Sequence, residues 1–383
     1  MKIGVVSHMY PTKRRSSFGI FVKDELNYLA KYVEIRLIAP YPNQRWFQKD
    51  SKNTKEKYPV IRPFTLSFPR FFMQKLYPAS LAFTLRRFGR EFFDNCDIIH
   101  AHNAFPEGVA SVKAFGKRKP IIVTVHGSDV TVFAMKLNLR PDIVNSLNKV
   151  KNIICVSNYL SDKLKEIGVT SRIEIIPNGI NTELFSPGDR TGACKLLGLD
   201  ANRHRIIFVG NFVKVKGIEY LIQAMPAVLK KYPDCELVLL GARPDSKDFN
   251  KYKKHIASTG IRNYVRIVTI VPHEKLPLWM QASDLLVLPS INEGFGIVAA
   301  EALACGIPVV ATKSGGPEDI VKDGLGVLVP PEDYELLGEG IVSVLDGTGI
   351  LNSEAMVKSI KSRFSYDIIS KKIIEVYTNS LKE

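Results

Sequence analysis

Short apolar runs alternate with longer amphipathic stretches along the whole chain, and this alternation predicts an α/β protein with buried parallel strands. In the first half, strands are expected at 2–7, 33–39, 97–100, 121–125 and 152–156. Between them, 20–31 reads as a helix that turns Leu26, Leu29 and Ala30 inward. Residues 79–93 read as an amphipathic helix with Leu81, Leu85, Phe88 and Phe92 aligned and Arg86, Arg87 and Arg90 on another face. Residues 41–70 look like an irregular, basic, proline-punctuated excursion. A second series follows: strand 205–209, helix 217–231, strands 236–240, 265–270 and 284–289, helix 297–304, and strands 307–312 and 326–329. Residues 366–381 close the chain as a last amphipathic helix.

Two successive α/β series imply two doubly wound, Rossmann-like domains on either side of a cleft. Ser186-Pro187-Gly188-Asp189 has the composition of a linker, so the domains are expected at 1–185 and 186–365, with 366–383 returning to the first. A chain of 383 residues, 45% apolar and 24% charged, is long enough for both cores.

Charge changes the picture once it is divided. Residues 1–180 hold 29 Lys+Arg against 14 Asp+Glu, whereas 181–383 hold 24 of each, so the net +15 belongs to the first half. Residues 45–90 alone carry eleven basic and two acidic side chains. A field of that sign attracts an anionic membrane surface, lipid phosphate or nucleic acid. The five cysteines are scattered with no CxxC pair, which fits a reducing compartment and argues against a zinc knuckle. The start of the chain reads as a strand rather than a signal peptide, and its most apolar window, 297–311, is too short to span a bilayer. A cytoplasmic protein, peripheral to the inner face of the membrane, is the expectation.

The run Glu293-Gly294-Phe295-Gly296-Ile297-Val298-Ala299-Ala300-Glu301 carries the most chemistry. It follows a predicted buried strand and opens an Ala-rich helix, so its loop lies at the carboxyl end of the strand. Open α/β sheets bind ligands there, and helix-N-terminal amides receive anions. Glu293 and Glu301 could alternatively be a solvated loop acid and an ordinary helix-surface residue.

With its neighbours the run resembles the EX7E, GT4-type retaining glycosyltransferases (glycosyltransferase group 1). The motifs of that resemblance are 209–217, Ala282-Ser283-Asp284 into Leu288-Pro289-Ser290, 293–301, Ser314-Gly315-Gly316-Pro317-Glu318, and 323–329. In the first half, 125–129, Val156-Ser157-Asn158 and Pro177-Asn178-Gly179-Ile180 also match. The resemblance implies the GT-B fold and transfer of a hexose-type sugar from a nucleoside diphosphate, UDP- or GDP-linked, with retention and no required metal or other cofactor. The product would be a cell-surface polysaccharide or glycolipid.

It further implies roles for single residues. His126, Lys216 and Glu293 would be catalytic: Lys216 at the diphosphate, where charge develops on the leaving group, and His126 beside the donor sugar. Gly19, Gly210, Asn211, Gly294, Phe295, Gly296, Ile297 and Glu301 would join Lys216 and Glu293 in holding the donor, with Glu301 on the ribose hydroxyls. The 314–316 turn would add backbone donors. Asp129 and His102 would lie on the acceptor side. Two departures stand out: Asn211 occupies a position where the family commonly has arginine, and a single Gly19 replaces a glycine pair.

Rival readings exist. His100-Ala101-His102 could ligate a metal at a strand end, although no third or fourth ligand accompanies it in the sequence. A glycosidase would need Glu293 and Glu301 about 5 Å apart, yet eight residues of helix would separate them by about 12 Å. A sugar-nucleotide epimerase of the same fold is an enzymatic alternative. A basic nucleic-acid- or membrane-binding non-enzyme is the alternative of a different class, and no nucleic-acid motif accompanies the charge. Residues 68–93 interleave aromatic and basic side chains as interfacial helices do, which favours an anionic membrane near a polysaccharide or lipid-linked acceptor.

Overall fold

A computed structural model describes residues 1–382 except 13, 14, 16, 43–55, 67–73, 245, 323 and 351. The chain divides into two compact units, Met1–Gly179 with Tyr366–Glu383, and Ile180–Ser365. The division falls ahead of Ser186–Asp189, the stretch whose composition suggested a linker.

The first unit is built on seven parallel strands: β1 (Lys2–Val6), β2 (Glu34–Ile38), β3 (Val60–Ile61), β4 (Ile98–His102), β5 (Ile121–Val125), β6 (Asn152–Cys155) and β7 (Ile173–Ile175), in the order β3-β2-β1-β4-β5-β6-β7. The chain leaves β1 at the middle and later crosses to the other side through β4, the arrangement that places a ligand crevice at the carboxyl ends of neighbouring strands. β4 and β5 are buried at every position. That is what strands covered on both faces require, and it is why they read as unbroken apolar runs. β4 runs to His102, so His100 lies within the strand and His102 ends it. Edge strands β3 and β7 had no clear signal, being short and only partly buried.

α1 (Ile20–Leu29) buries Val22, Glu25, Leu26 and Leu29. The C-terminal helix Tyr366–Lys382 lies against it, with Tyr28 stacked on Tyr366 at 4.8 Å, and adds Ile369, Ile373, Val376 and Tyr377 to the first unit's core. α2 (Leu76–Phe92) starts three residues before the predicted position. It buries Leu81, Ala82 and Leu85 and leaves Phe83, Arg86, Arg87, Phe88 and Arg90 exposed. Much of the basic excursion, with Phe68, Arg70, Phe71 and Phe72 of the aromatic–basic stretch, lies outside the described residues.

The second unit has six parallel strands: β8 (Arg205–Val209), β9 (Glu236–Ala242), β10 (Val265–Thr269), β11 (Leu285–Leu288), β12 (Val309–Thr312) and β13 (Gly326–Val329), in the order β10-β9-β8-β11-β12-β13. α3 (Ile218–Lys231), α4 (Ile297–Ala304) and α5 (Tyr334–Leu345) follow β8, β11 and β13. The start of β8 carries a fully buried arginine. Arg205 Nε donates to Glu236 Oε2 at 2.9 Å, its Nη1 to the Ala282 carbonyl and its Nη2 to the Asp200 carbonyl. Burial raises the Glu236 pKa, but hydrogen bonds from Arg205 and Arg266 outweigh it and hold the carboxyl below its ordinary range.

Candidate active site

In the second unit, three loops leave the carboxyl ends of β8, β11 and β12, which are neighbours in the sheet, and are tied to one another by backbone. Ile291 N donates to Val215 O, Glu293 N to Ser314 O, and Gly316 N to Glu293 O. The β8 loop ends at Gly217, whose φ is 63° and where a Cβ would stand 1.9 Å from the Pro289 carbonyl oxygen. Only glycine permits that approach, and it delivers the preceding lysine to the next loop. Lys216 Nζ donates to Glu293 Oε2 at 2.6 Å, and Ser290 Oγ donates to the same oxygen at 3.0 Å. The pair is about a quarter exposed on the lysine side and a seventh on the glutamate side, so it is open to exchange with a ligand.

Gly296, at φ 93°, leads into α4 with no side-chain cap. The first N–H groups of α4 therefore have no side-chain acceptor, and although Ala299 N donates to Gly296 O, such a terminus can receive an anion. One turn on, Glu301 is 4% exposed and its Oε1 lies 2.9 Å from His273 Nε2. The His273 ring rests against Phe185 at 5.2 Å. A lysine, an uncapped helix start and a held carboxylate in sequence can take a phosphate at one end and hydroxyls at the other. Gly210 N is used by the Leu240 carbonyl and Asn211 is exposed. Phe295 turns its ring into the core against Phe364, so only its backbone is available to a ligand.

One expectation needs correction here. The 314–316 amides are engaged within the fold: Ser314 N donates to Thr312 O, Gly315 N to Glu318, and Gly316 N to Glu293 O. The turn stitches loops together and has no free amide to offer.

In the first unit, Gly19 precedes α1 at φ 68°, where a Cβ would meet the Met9 carbonyl at 2.4 Å. His126 follows β5 directly, and its backbone N donates to Asp129 Oδ1. Asp129 also accepts from Ala104 N, Gly127 N and Val130 N, and is 1% exposed. Burial pushes its pKa up against those amides. Asp129 therefore clamps the loop that carries His126, a correction to its expected place facing an acceptor. His102 is likewise corrected: its side chain is fully buried, stacked 5.3 Å from the His126 ring, with Nδ1 3.1 Å from His126 Nε2.

His100 does have further ligand-type neighbours. Glu25, His100 and His102 bring one ligand atom each within 4.8 Å, so the third group missing from the sequence is on α1. Both His100 nitrogens are already engaged, by the Tyr377 hydroxyl and Thr124 Oγ1 at 2.7 Å each. The cluster is a hydrogen-bond network as it stands. Burial drives His100 and His126 down to about 3, keeping both rings neutral.

Glu25, His273 and the pair His8–Glu107 were missed by sequence reasoning, and Ser290 stood in a motif without an assigned role. His8 Nδ1 bonds Glu107 Oε1, and although burial lowers the His8 pKa, Glu107 raises it by more. Only Glu25 left a signal: a carboxylate on the inward stripe of α1.

The family described as Glycosyl transferases group 1 matches residues 195–363, and Glycosyltransferase Family 4 matches residues 19–184. An uncharacterized glycosyltransferase of Methanocaldococcus jannaschii is 31% identical over 270 residues, covering 70% of this chain and 69% of that one. The chain is a GT4-type glycosyltransferase. It is also similar to a putative teichuronic acid biosynthesis glycosyltransferase of Bacillus subtilis, 28% identical over 89% of this chain and 88% of the other. Among solved structures, a sucrose-phosphate synthase from Thermosynechococcus elongatus superposes with a TM-score of 0.83 at 22% identity, covering 99% of this chain and 98% of that one. An Anabaena protein in complex with UDP-glucose superposes with a TM-score of 0.75 at 21% identity, covering 99% of this chain and all of the other. The two Rossmann-like units of this glycosyltransferase are thus those of the GT-B fold.

Proposed function

We propose that this glycosyltransferase moves a hexose-type sugar from a UDP- or GDP-linked donor to an acceptor hydroxyl, with retention at the anomeric carbon. The observation that carries the reading is the Lys216–Glu293 pair, held at 2.6 Å beside the uncapped start of α4. An incoming diphosphate replaces the carboxylate as partner of Lys216 and takes the free amides of α4. Glu293, released, accepts hydrogen bonds from sugar hydroxyls, and Glu301 exchanges His273 for the ribose. The UDP-glucose complex of the Anabaena protein supports a nucleotide-sugar donor by likeness.

The step needs no side-chain nucleophile. The bond from the anomeric carbon to the diphosphate oxygen breaks with its electron pair on the leaving group. The acceptor oxygen bonds the anomeric carbon on the same face, and its proton passes to a leaving phosphate oxygen. Lys216 and the helix amides stabilise the charge that gathers there, and the reading requires no metal.

A thermal-shift screen with UDP-, GDP-, ADP- and dTDP-sugars tests the donor, because a ligand that binds only the folded chain stabilises it by mass action. A shift with UDP- or GDP-sugars that persists in chelator is expected, together with an NMR-resolved product of unchanged anomeric configuration. No shift with UDP- or GDP-sugars overturns this donor reading. We place the enzyme at the cytoplasmic face of an anionic membrane, acting on a polysaccharide or lipid-linked acceptor. The teichuronic acid assignment of the Bacillus subtilis relative and the exposed Phe83 beside Arg86, Arg87 and Arg90 support that placement.

A further inference from the structure

In the first unit the buried Glu25 and His102 form a line with the half-buried His126. Glu25 Oε1 lies 3.7 Å from His102 Nε2, and His102 Nδ1 lies 3.1 Å from His126 Nε2. Glu25 Oε1 and His102 Nε2 have no hydrogen-bond partner among the described residues. Leaving two such groups unpaired when buried costs about 1–3 kcal/mol each, and a small rotation of either side chain joins them. Of the other neighbours, His100 is held by Tyr377 and Thr124, Asp129 takes the backbone N of His126, and the Asn178 side chain also bears on the His126 ring, favouring its protonated form. Phe21 sets its ring edge-on to His126 at 5.0 Å.

We propose that Glu25 and His102 are positioning residues which, through the ordered chain Glu25–His102–His126, decide which nitrogen of His126 carries its proton. The proposal rests on His126 acting at the transferred sugar. Each neutral imidazole has one donor and one acceptor nitrogen, so the chain has two self-consistent states. With Glu25 protonated, its hydroxyl donates to His102 Nε2, His102 Nδ1–H donates to His126 Nε2, and His126 presents Nδ1–H. With Glu25 ionised, the order inverts: His102 Nε2–H faces the carboxylate, His126 Nε2–H donates to His102 Nδ1, and His126 Nδ1 presents a lone pair. Loss of one proton at Glu25 turns Nδ1 of His126, a buried atom more than one side chain away, from donor to acceptor.

Several groups face Glu25 and bear on when this happens: His100 and His102 from β4, His126 beyond β5, and Tyr377 from the C-terminal helix. All are neutral in the folded state, since burial lowers the three histidines and raises Tyr377. Burial pushes Glu25 up to about 8, so near neutrality the donor form of His126 prevails. An Nδ1–H donor suits a sugar hydroxyl or ring oxygen. Transfer is therefore expected to fall as pH rises through that value.

Histidine ¹⁵N NMR on the full chain, with the His126 signal assigned from His126→Gln, reads the tautomer without any substrate. In the wild type, His126 is expected to carry its proton on Nδ1 at about pH 6.5 and on Nε2 at about pH 9.5. In Glu25→Gln the carboxamide can donate or accept but does not titrate, so whichever His126 tautomer it holds should persist at both. In kinetics, Glu25→Gln should flatten the alkaline limb of kcat while leaving the donor KM unchanged. His102→Gln should lower kcat roughly tenfold or more, by analogy with partners that orient metal-ligating histidines. An unchanged His126 tautomer across that range in the wild type overturns the proposal, whether or not the variants fold. So does a full tautomer change in Glu25→Gln. If no UDP- or GDP-linked donor is turned over, the tautomer result still decides this chain of protons, and only the proposed donor reading falls.

Discussion

At the scale of single residues, two carboxylates that could have been an acid and a nucleophile are held by different partners. Glu293 is bonded to Lys216 and Ser290, and Glu301 to His273. Neither arrangement leaves a bare carboxylate poised against a sugar, whereas both present groups that a nucleotide sugar can exchange into. Removing a preorganised charge aimed at a leaving group usually costs about 10²- to 10³-fold in rate. Lys216→Ala should lower kcat/KM by that order, and Glu301→Ala should chiefly raise the donor KM. Steady-state kinetics with the donor found by thermal shift checks both, and near-native values in either would count against the assignment. Lys216, Glu293 and Glu301 were legible because loop, glycine and helix start are adjacent in the chain. His273, which lies 28 residues from Glu301 in a short 3₁₀ turn without any pattern of its own, was not.

At the scale of elements, the parallel strands could be read from their apolar runs, and their short edge partners could not. β8 shows why pattern alone is incomplete. It begins with an arginine that a hydropathy reading would place in solvent, yet Arg205 is 0% exposed and bonded to Glu236. Removing one member of a buried pair typically costs about 3–5 kcal/mol when the other charge is left uncompensated. Here Arg266 still pairs with Glu236, so Arg205→Ala should destabilise the chain by less than that in urea unfolding, while the double variant with Glu236→Gln, which also unpairs Arg266, should lose more. α2 makes the complementary point. Leu81, Ala82 and Leu85 anchor it in the first unit, while Phe83 is 71% exposed alongside three arginines. Vesicle co-sedimentation should show binding to anionic but not neutral lipid, reduced when Arg86, Arg87 and Arg90 are replaced by serine. Equal recovery with neutral vesicles would remove this surface as a membrane anchor.

At the scale of the whole molecule, pH should limit stability from both sides through one buried cluster. His100 and His126 are held down to about 3 in the fold. Their contribution is complete above the ordinary histidine value near 6.5 and is lost as pH falls below it. Glu25 has the opposite sign: raised to about 8, it contributes fully below the ordinary glutamate value and loses that contribution as pH climbs toward 8. The Tm advantage of Glu25→Gln over wild type should therefore widen from about pH 5 to about pH 9, as calorimetry across that range can measure. The division of charge belongs to this scale too. The basic excess sits in residues 1–180, which contain α2, while the half with the Lys216–Glu293 pair is balanced. Among the described residues no helix is long and apolar enough to cross a membrane.

The sequence by itself determined the two α/β series, the loop at the end of β11, the glycines at its turns and the residues of the Glu293–Glu301 run. Strand burial, turn conformation and helix starts are each decided within a few residues. The tertiary structure alone decided who partners whom. It spent Asp129 on four backbone amides and the 314–316 amides on the fold itself. It aligned Glu25, His102 and His126 from a helix, a strand and a loop. Hydrogen bonds between distant segments depend on which elements the sheet brings side by side, and burial then fixes which of those groups keep their protons.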